Sequence, residues 1–145
     1  ISSTVNVVIG QRLVRTLCEC KQAYQAPQEV MVELHKELDQ LNGLIIQKKE
    51  DEGSIEFNLS TKEVTLYKSV GCPKCNDTGY SGRTGIFEVL KMSDNIARLV
   101  VSKSSIKEIE ENAIKEGMIT MVQDGYMKAL EGITTIEEVL RVKNE

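Results

Sequence analysis

Apolar positions along this chain change their spacing several times, and each change marks a predicted element. Near the N-terminus, Val7, Val8, Leu13, Val14 and Leu17 fall on one helical stripe, although Gly10 and the β-branched content weigh against a stable helix. From Pro27 to Gly43 the pattern is cleaner. Val30/Met31, Leu34, Leu38 and Leu41 recur at i, i+3/i+4 and i+7/i+8, which predicts an amphipathic helix over 28–42. Pro27 stands near its first position and Gly43 just past its end. Residues 44–53 close in a charged turn. Ile55, Phe57 and Leu59 then alternate with polar neighbours, as do Val64 and Leu66, so two antiparallel strands are expected around a turn at 60–63. Residues 70–85 carry four of the ten glycines, which predicts tight turns before a short strand over 86–92.

Beyond residue 92 the spacing is helical. Ser93 is placed to cap a helix over 94–102. Ser105 and Glu108 form a capping-box pattern for a helix to about residue 116, with Ile106, Ile109, Ala113 and Ile114 inward and Gly117 as its stop. A third helix over 121–131 turns Val122, Tyr126 and Leu130 inward. Thr134 or Thr135 caps a fourth, with Ile136, Val139 and Leu140 inward. The fold class is α+β. A small cysteine-bearing segment with a β-hairpin and an amphipathic helix is followed by a C-terminal helical subdomain.

Composition narrows the function. The chain has 145 residues, 41% of them hydrophobic and 28% charged, as in a folded domain rather than a disordered one. It has no Trp, 4% aromatic residues and a formal charge of -4. No stacking platform or chain-wide basic footprint is available for nucleic acid. No apolar run reaches the roughly 18–20 residues of a membrane span. With no signal-peptide pattern and no initiating Met, the reading is a soluble, cytosolic piece of a longer chain.

The four cysteines come in two close pairs, Cys18/Cys20 and Cys72/Cys75. Tetrahedral zinc needs thiolate sulfurs roughly 3.8 Å apart. A Cys-Pro-Lys-Cys turn supplies two of them, with Gly71, Asn76, Asp77 and Gly79 letting the backbone fold around the ion. The second pair comes from a distance. Four thiolates leave no open coordination position, so the expectation is one structural Zn2+ held by Cys18, Cys20, Cys72 and Cys75. A redox Cys-x-x-Cys would leave Cys18 and Cys20 unexplained. Four ionised cysteines around Zn2+ would take the charge from -4 to about -6, which further disfavours nucleic acid.

Other candidates are weaker. His35 lies beside the apolar stripe of its helix and reads as solvent-facing. The runs Glu50–Glu52 and Glu108–Glu111 read as solvated surface. Arg12 and Arg15 suit a basic edge or surface ion pairs, and Arg83 and Glu88 are placed to pair across the turn into the 86–92 strand. The single His assembles no nucleophile set, and no Gly-x-x-x-x-Gly-Lys-[Ser/Thr] cradle is present. No catalytic residue and no nucleotide-binding residue is assigned.

The ordered strings Gly10-Gln-Arg-Leu-Val-Arg-Thr-Leu-Cys18, Gly71-Cys-Pro-Lys-Cys-Asn-Asp-Thr-Gly-Tyr-Ser-Gly-Arg-Thr-Gly-Ile-Phe-Glu88, Glu116-Gly-Met and Asp124-Gly125…Glu131-Gly-Ile-Thr-Thr-Ile-Glu-Glu-Val-Leu140 closely resemble the GspE/PilB-type ATPases of type II secretion and type IV pilus assembly. The resemblance spans essentially the whole chain. It implies that residues 1–17 end a RecA-like ATPase core, 18–92 form a tetracysteine zinc-binding segment and 93–145 a C-terminal helical subdomain. It further implies a parent that is a homo-hexamer using ATP and Mg2+ at the cytoplasmic face of the inner membrane. Its partners would be inner-membrane platform or cytoplasmic-domain proteins of the machinery, with membrane association only through them. The piece itself would not hydrolyse ATP and would be a monomer or weak dimer. Here the first pair is Cys-x-Cys where the family has Cys-x-x-Cys, which bears on local metal geometry. The length between the pairs, filled by the 28–42 helix and the charged 47–52 turn, is the ground for expecting that segment to be a docking surface. The competing reading is a stand-alone zinc-ribbon interaction module.

Overall fold

Strand β1 runs from Val7 to Leu17 and pairs antiparallel with β4, Tyr80–Lys91, from Val7 opposite Lys91 to Leu17 opposite Tyr80. The computed structural model describes residues 4–41 and 63–144. The helical stripe at the N-terminus does not form. Its valines and isoleucine are β-branched, which suits a pleated ribbon better than a helix turn. Likewise the short strand expected over 86–92 extends back to Tyr80, because pairing with β1 continues through the glycine-rich stretch. A register shift between Arg15 and Leu17 lies near one end of the ribbon.

A second two-stranded sheet pairs β2, Gln22–Gln25, with β3, Thr65–Lys68. The strand expected over 54–59 and the charged turn at 44–53 lie outside the described residues. Helix α1, Gln28–Leu38, follows Pro27 and runs on into a short 3-10 turn over Asp39–Leu41. As its spacing implies, Met31, Leu34, Leu38 and Leu41 are buried.

Four helices complete the described chain: α2 (Asp94–Val101), α3 (Ile106–Lys115), α4 (Met121–Leu130) and α5 (Ile136–Lys143). Ser93, Ser105 and Thr135 each accept the backbone N–H three residues on, and Thr120 does the same in a full capping box with Gln123. Two expected inward residues are not inward. Ile106 is 86% exposed, because it opens α3 where no neighbour among the described residues covers its first turn, and Leu140 lies at the surface of α5.

The main core joins Leu34 and Leu38 of α1, Leu66 of β3, Tyr126 and Ala129 of α4 and Val139 of α5. A smaller one joins Val14 and Ile86 of the ribbon to Val142 of α5, with Met121 packed against it. Successive strand residues point to opposite faces. The face bearing Val14 and Ile86 is covered at those positions, though Val8 near its far end is exposed, while Ile9, Leu13, Phe87 and Val89 stay exposed on the other. Helices α4 and α5 approach closely at Gly125, where a Cβ would lie 2.8 Å from Val139 Cγ1.

One buried carboxylate ties α5 to the ribbon. Glu138 is 2% exposed and accepts from Arg15 N (2.8 Å), Nε (3.0 Å) and Nη2 (2.6 Å). Arg141 adds Nε at 3.3 Å and Nη2 at 3.1 Å. Burial alone would raise the Glu138 pKa, but the Arg15 and Arg141 bonds override it and hold it at about 2. That stabilisation is present above the ordinary glutamate pKa and is lost as pH falls through about 2. Both arginines are half-exposed, so Glu138→Gln is expected to cost about 1–3 kcal/mol at pH 7 in urea unfolding. The variant should also lose less stability than the parent on acidification below pH ~4.5. At Gly125, overpacking costs about 1–3 kcal/mol against roughly 1 kcal/mol of helix propensity regained. Gly125→Ala should therefore lower the urea midpoint.

Candidate metal centre

The open end of the ribbon is where the four cysteines meet. β1 ends at Leu17 and β4 begins at Tyr80, so Cys18 follows one strand directly and Cys75 lies just before the other. Cys18 N donates to Gly79 O at 3.0 Å, continuing the ladder one step beyond the last strand pair. Cys20 is brought back by a turn in which Lys21 N donates to Cys18 O at 3.0 Å. Opposite, Pro73–Cys75 form a single 3-10 turn. Asn76, Asp77 and Gly79 follow at φ of 50°, 60° and 77°, conformations that Asn, Asp and Gly tolerate best. A Cβ at Gly79 would lie 2.5 Å from Ser69 Cβ, so glycine is required there by space as well.

All four Sγ atoms lie within 4.8 Å of one another. Cys18–Cys72 is 3.8 Å, Cys20–Cys75 3.9 Å and Cys72–Cys75 3.7 Å. These separations match the edge of a tetrahedral zinc–thiolate site, roughly 3.8 Å, and none is a disulfide. The shorter Cys-x-Cys spacing thus still delivers both of its sulfurs. Backbone donors already point at the cluster: Cys72 N and Gly79 N each reach Cys75 Sγ at 3.2 Å. Burial pushes the Cys75 thiol up, but those two N–H groups, together with the Cys72 and Cys20 thiols, outweigh it and bring it down to about 6. Cys20 moves the other way, to about 12, first through burial and then through its sulfur neighbours. Crowded thiols cannot all ionise unless a cation balances them.

The surroundings are fixed by longer-range contacts. Lys74 Nζ meets Glu19 Oε2 at 3.1 Å across the two cysteine loops. Lys21 Nζ donates to Gly132 O at 2.6 Å and sits 4.8 Å over the Tyr67 ring, joining the first loop to the α4–α5 turn. Tyr80 lies under the Arg15 guanidinium, at 4.1 Å, and its hydroxyl meets Thr135 Oγ1 at 3.2 Å.

The remaining sequence candidates do not converge on this site. His35 is part-exposed, with Nδ1 3.5 Å from Asp39 Oδ1. Glu108, Glu110 and Glu111 are exposed on α3, and Glu50–Glu52 lie outside the described residues. Arg83 and Glu88 do not pair. Five positions apart in one strand, they point to opposite faces, and Glu88 Oε2 instead accepts Met121 N at 3.2 Å. Arg15 turns to Glu138 rather than to a surface edge. Sequence reasoning missed Glu138, whose partner Arg15 is 123 positions away. It also missed Asp124, whose Oδ2 accepts the Phe87 backbone N–H at 2.9 Å.

The model of the family described as "Type II/IV secretion system protein" matches residues 1–141. The chain is 40% identical over 97% of its length to the "Type IV pilus assembly ATPase PilB" of Thermus thermophilus, covering 14% of that protein. It is 36% identical over its whole length to the protein of the same name from Pseudomonas aeruginosa, covering 22% of it. It is 38% identical over its whole length to the "Type II secretion system ATPase E" of Vibrio cholerae, covering 24% of it. The chain thus spans no more than about a quarter of the length of these relatives. Matching them from the ribbon through both cysteine pairs to α5, the chain belongs to the type II/IV secretion system protein family.

Proposed function

We propose that these 145 residues are the C-terminal part of a hexameric motor ATPase that powers type IV pilus assembly or type II secretion. The observation that carries this reading is the match to such ATPases along 97–100% of the chain at 36–40% identity. The exposed apolar face of the ribbon supports it, because Ile9, Leu13, Phe87 and Val89 suit a sheet covered by further protein. In this reading residues 1–17 end a RecA-like core, 18–92 are a zinc-bearing excursion and 93–145 a C-terminal subdomain. ATP and Mg2+ bind elsewhere in the parent, since no phosphate cradle occurs in this sequence. The parent works at the cytoplasmic face of the inner membrane, against platform or cytoplasmic-domain proteins of the machinery. No helix among the described residues is long and apolar enough to cross a membrane, which suits attachment through partners.

Cys18, Cys20, Cys72 and Cys75 would hold the zinc. The sulfur spacing and the N–H groups aimed at Cys75 fit that ion. Four thiolates offer no position to a substrate, so the ion supplies a cross-link between two loops and no reaction.

Two experiments test these proposals separately. Reading the gene upstream of the Ile1 codon is expected to find an open frame encoding Gly-x-x-x-x-Gly-Lys-[Ser/Thr]; a start codon within a few residues of Ile1 would overturn the motor reading. Elemental analysis of protein purified without chelator is expected to give about one Zn per chain. Cys75→Ser should lower the occupancy at least about tenfold. Metal-free protein whose four thiols are all rapidly alkylated would contradict the zinc site.

A further inference from the structure

Between α1 and α5 lies a crevice of about 260 Å³. Its floor is Leu34, Tyr126 and Ile136, and Val30 and Leu140 form its walls. Leu34 and Tyr126 are fully buried, whereas Leu140 is 36% exposed at the lip. The volume falls below the roughly 300–1,000 Å³ of a small-molecule site. The one polar group on the floor, the Tyr126 hydroxyl, already donates to Glu33 Oε1 at 3.4 Å. With no converging polar groups to orient a metabolite, the crevice suits an inserted apolar side chain.

Its rim is acidic. Glu29 in the first turn of α1 lines the crevice. Glu137 in the first turn of α5 is not a lining residue but neighbours Leu140 at i, i+3 on the helix surface. Both are exposed, and neither has a cation partner among the described residues. Glu33 and Glu37 share the Lys143 ammonium, Nζ at 3.0 and 3.3 Å, and among the described residues Lys36 is the one further cation that acts on Glu33. Carboxylates therefore outnumber cations around an apolar slot. A partner matching it carries the opposite charge beside a large apolar residue.

We propose that the α1–α5 crevice docks a basic amphipathic segment of another protein. One Leu, Met or Phe side chain of that segment enters between Val30 and Leu140, and flanking Lys or Arg residues meet Glu29 and Glu137. The proposal rests on the crevice and its rim, so it stands or falls apart from the motor reading.

The test uses the full chain purified without chelator and fluorescein-labelled helical peptides of about 16 residues, with Leu at i, i+4 spacing and Lys flanking at varied offsets. Matched peptides replace Lys by Glu or Leu by Ser. Saturable one-to-one binding is expected for at least one Leu/Lys spacing and for neither matched control. Glu29→Lys/Glu137→Lys should weaken it about fivefold or more, as should Leu140→Ala. All three positions are exposed, and circular dichroism and metal content should be unchanged. Three results would overturn the proposal. No Leu/Lys spacing binds; the variants or the Leu→Ser peptide bind equally well; or Leu140→Ala abolishes a concentration-dependent self-association, which would make a second copy the occupant.

Discussion

Everything in this structure depends on how a two-stranded ribbon is closed at an end where no hairpin turn exists. β1 and β4 pair along ten register positions, yet 62 residues separate Leu17 from Tyr80. An isolated two-stranded ribbon is marginal in water, and closing so long a loop costs entropy that no tight turn offsets. The four sulfurs stand where the missing turn would be, within 4.8 Å of one another. The proposed metal cross-link at that point would make the excursion a side branch, with the two strands meeting as though joined directly.

The ribbon's outer edges are managed by the C-terminal helices. On the β1 side, Leu17 N donates to Ile133 O (2.8 Å), Thr134 Oγ1 donates to Arg15 O (2.7 Å) and Glu138 takes the Arg15 N–H. On the β4 side, Asp124 takes the Phe87 N–H and is itself held by Lys128 Nζ at 2.6 Å. Unpaired strand groups invite aggregation, and side chains and turns from α4 and α5 satisfy those at Arg15, Leu17 and Phe87. The same helices carry the larger core to α1 and β3, where buried Gln123 donates to Glu37 O at 2.8 Å and caps the end of α1. The cysteine loops, the ribbon and the helical end are thus one packed unit, with Lys21 and Tyr80 as direct links.

What the sequence revealed follows from range of interaction. Helix α1, the caps at Ser93, Ser105 and Thr135, and the turns around Cys72–Cys75 were legible because propensity, capping and left-handed residues act within a few positions. The convergence of the four cysteines was legible because thiol pairs at such close spacing are rare except for a purpose. The strand character of Val7–Leu17 was not, since its partner lies beyond a long excursion and its apolar residues fit a helical stripe equally well. Ile106 and Leu140 read as core because periodicity gives a helix face without saying how far its neighbour extends. Glu138 gave no signal at all: one glutamate beside another looks like solvated surface until Arg15 folds onto it.

Amide hydrogen exchange of the full chain, before and after metal removal by a chelator, tests most directly whether the cysteine centre closes the ribbon. The account predicts that amides at the cysteine end, from Arg15 to Cys18 and from Gly79 to Arg83, exchange at least about tenfold faster without metal. Amides of α4 and α5 should change far less. Equal protection of the ribbon end with and without metal would contradict it, and would leave the strands held by the Glu138 network and the helices alone.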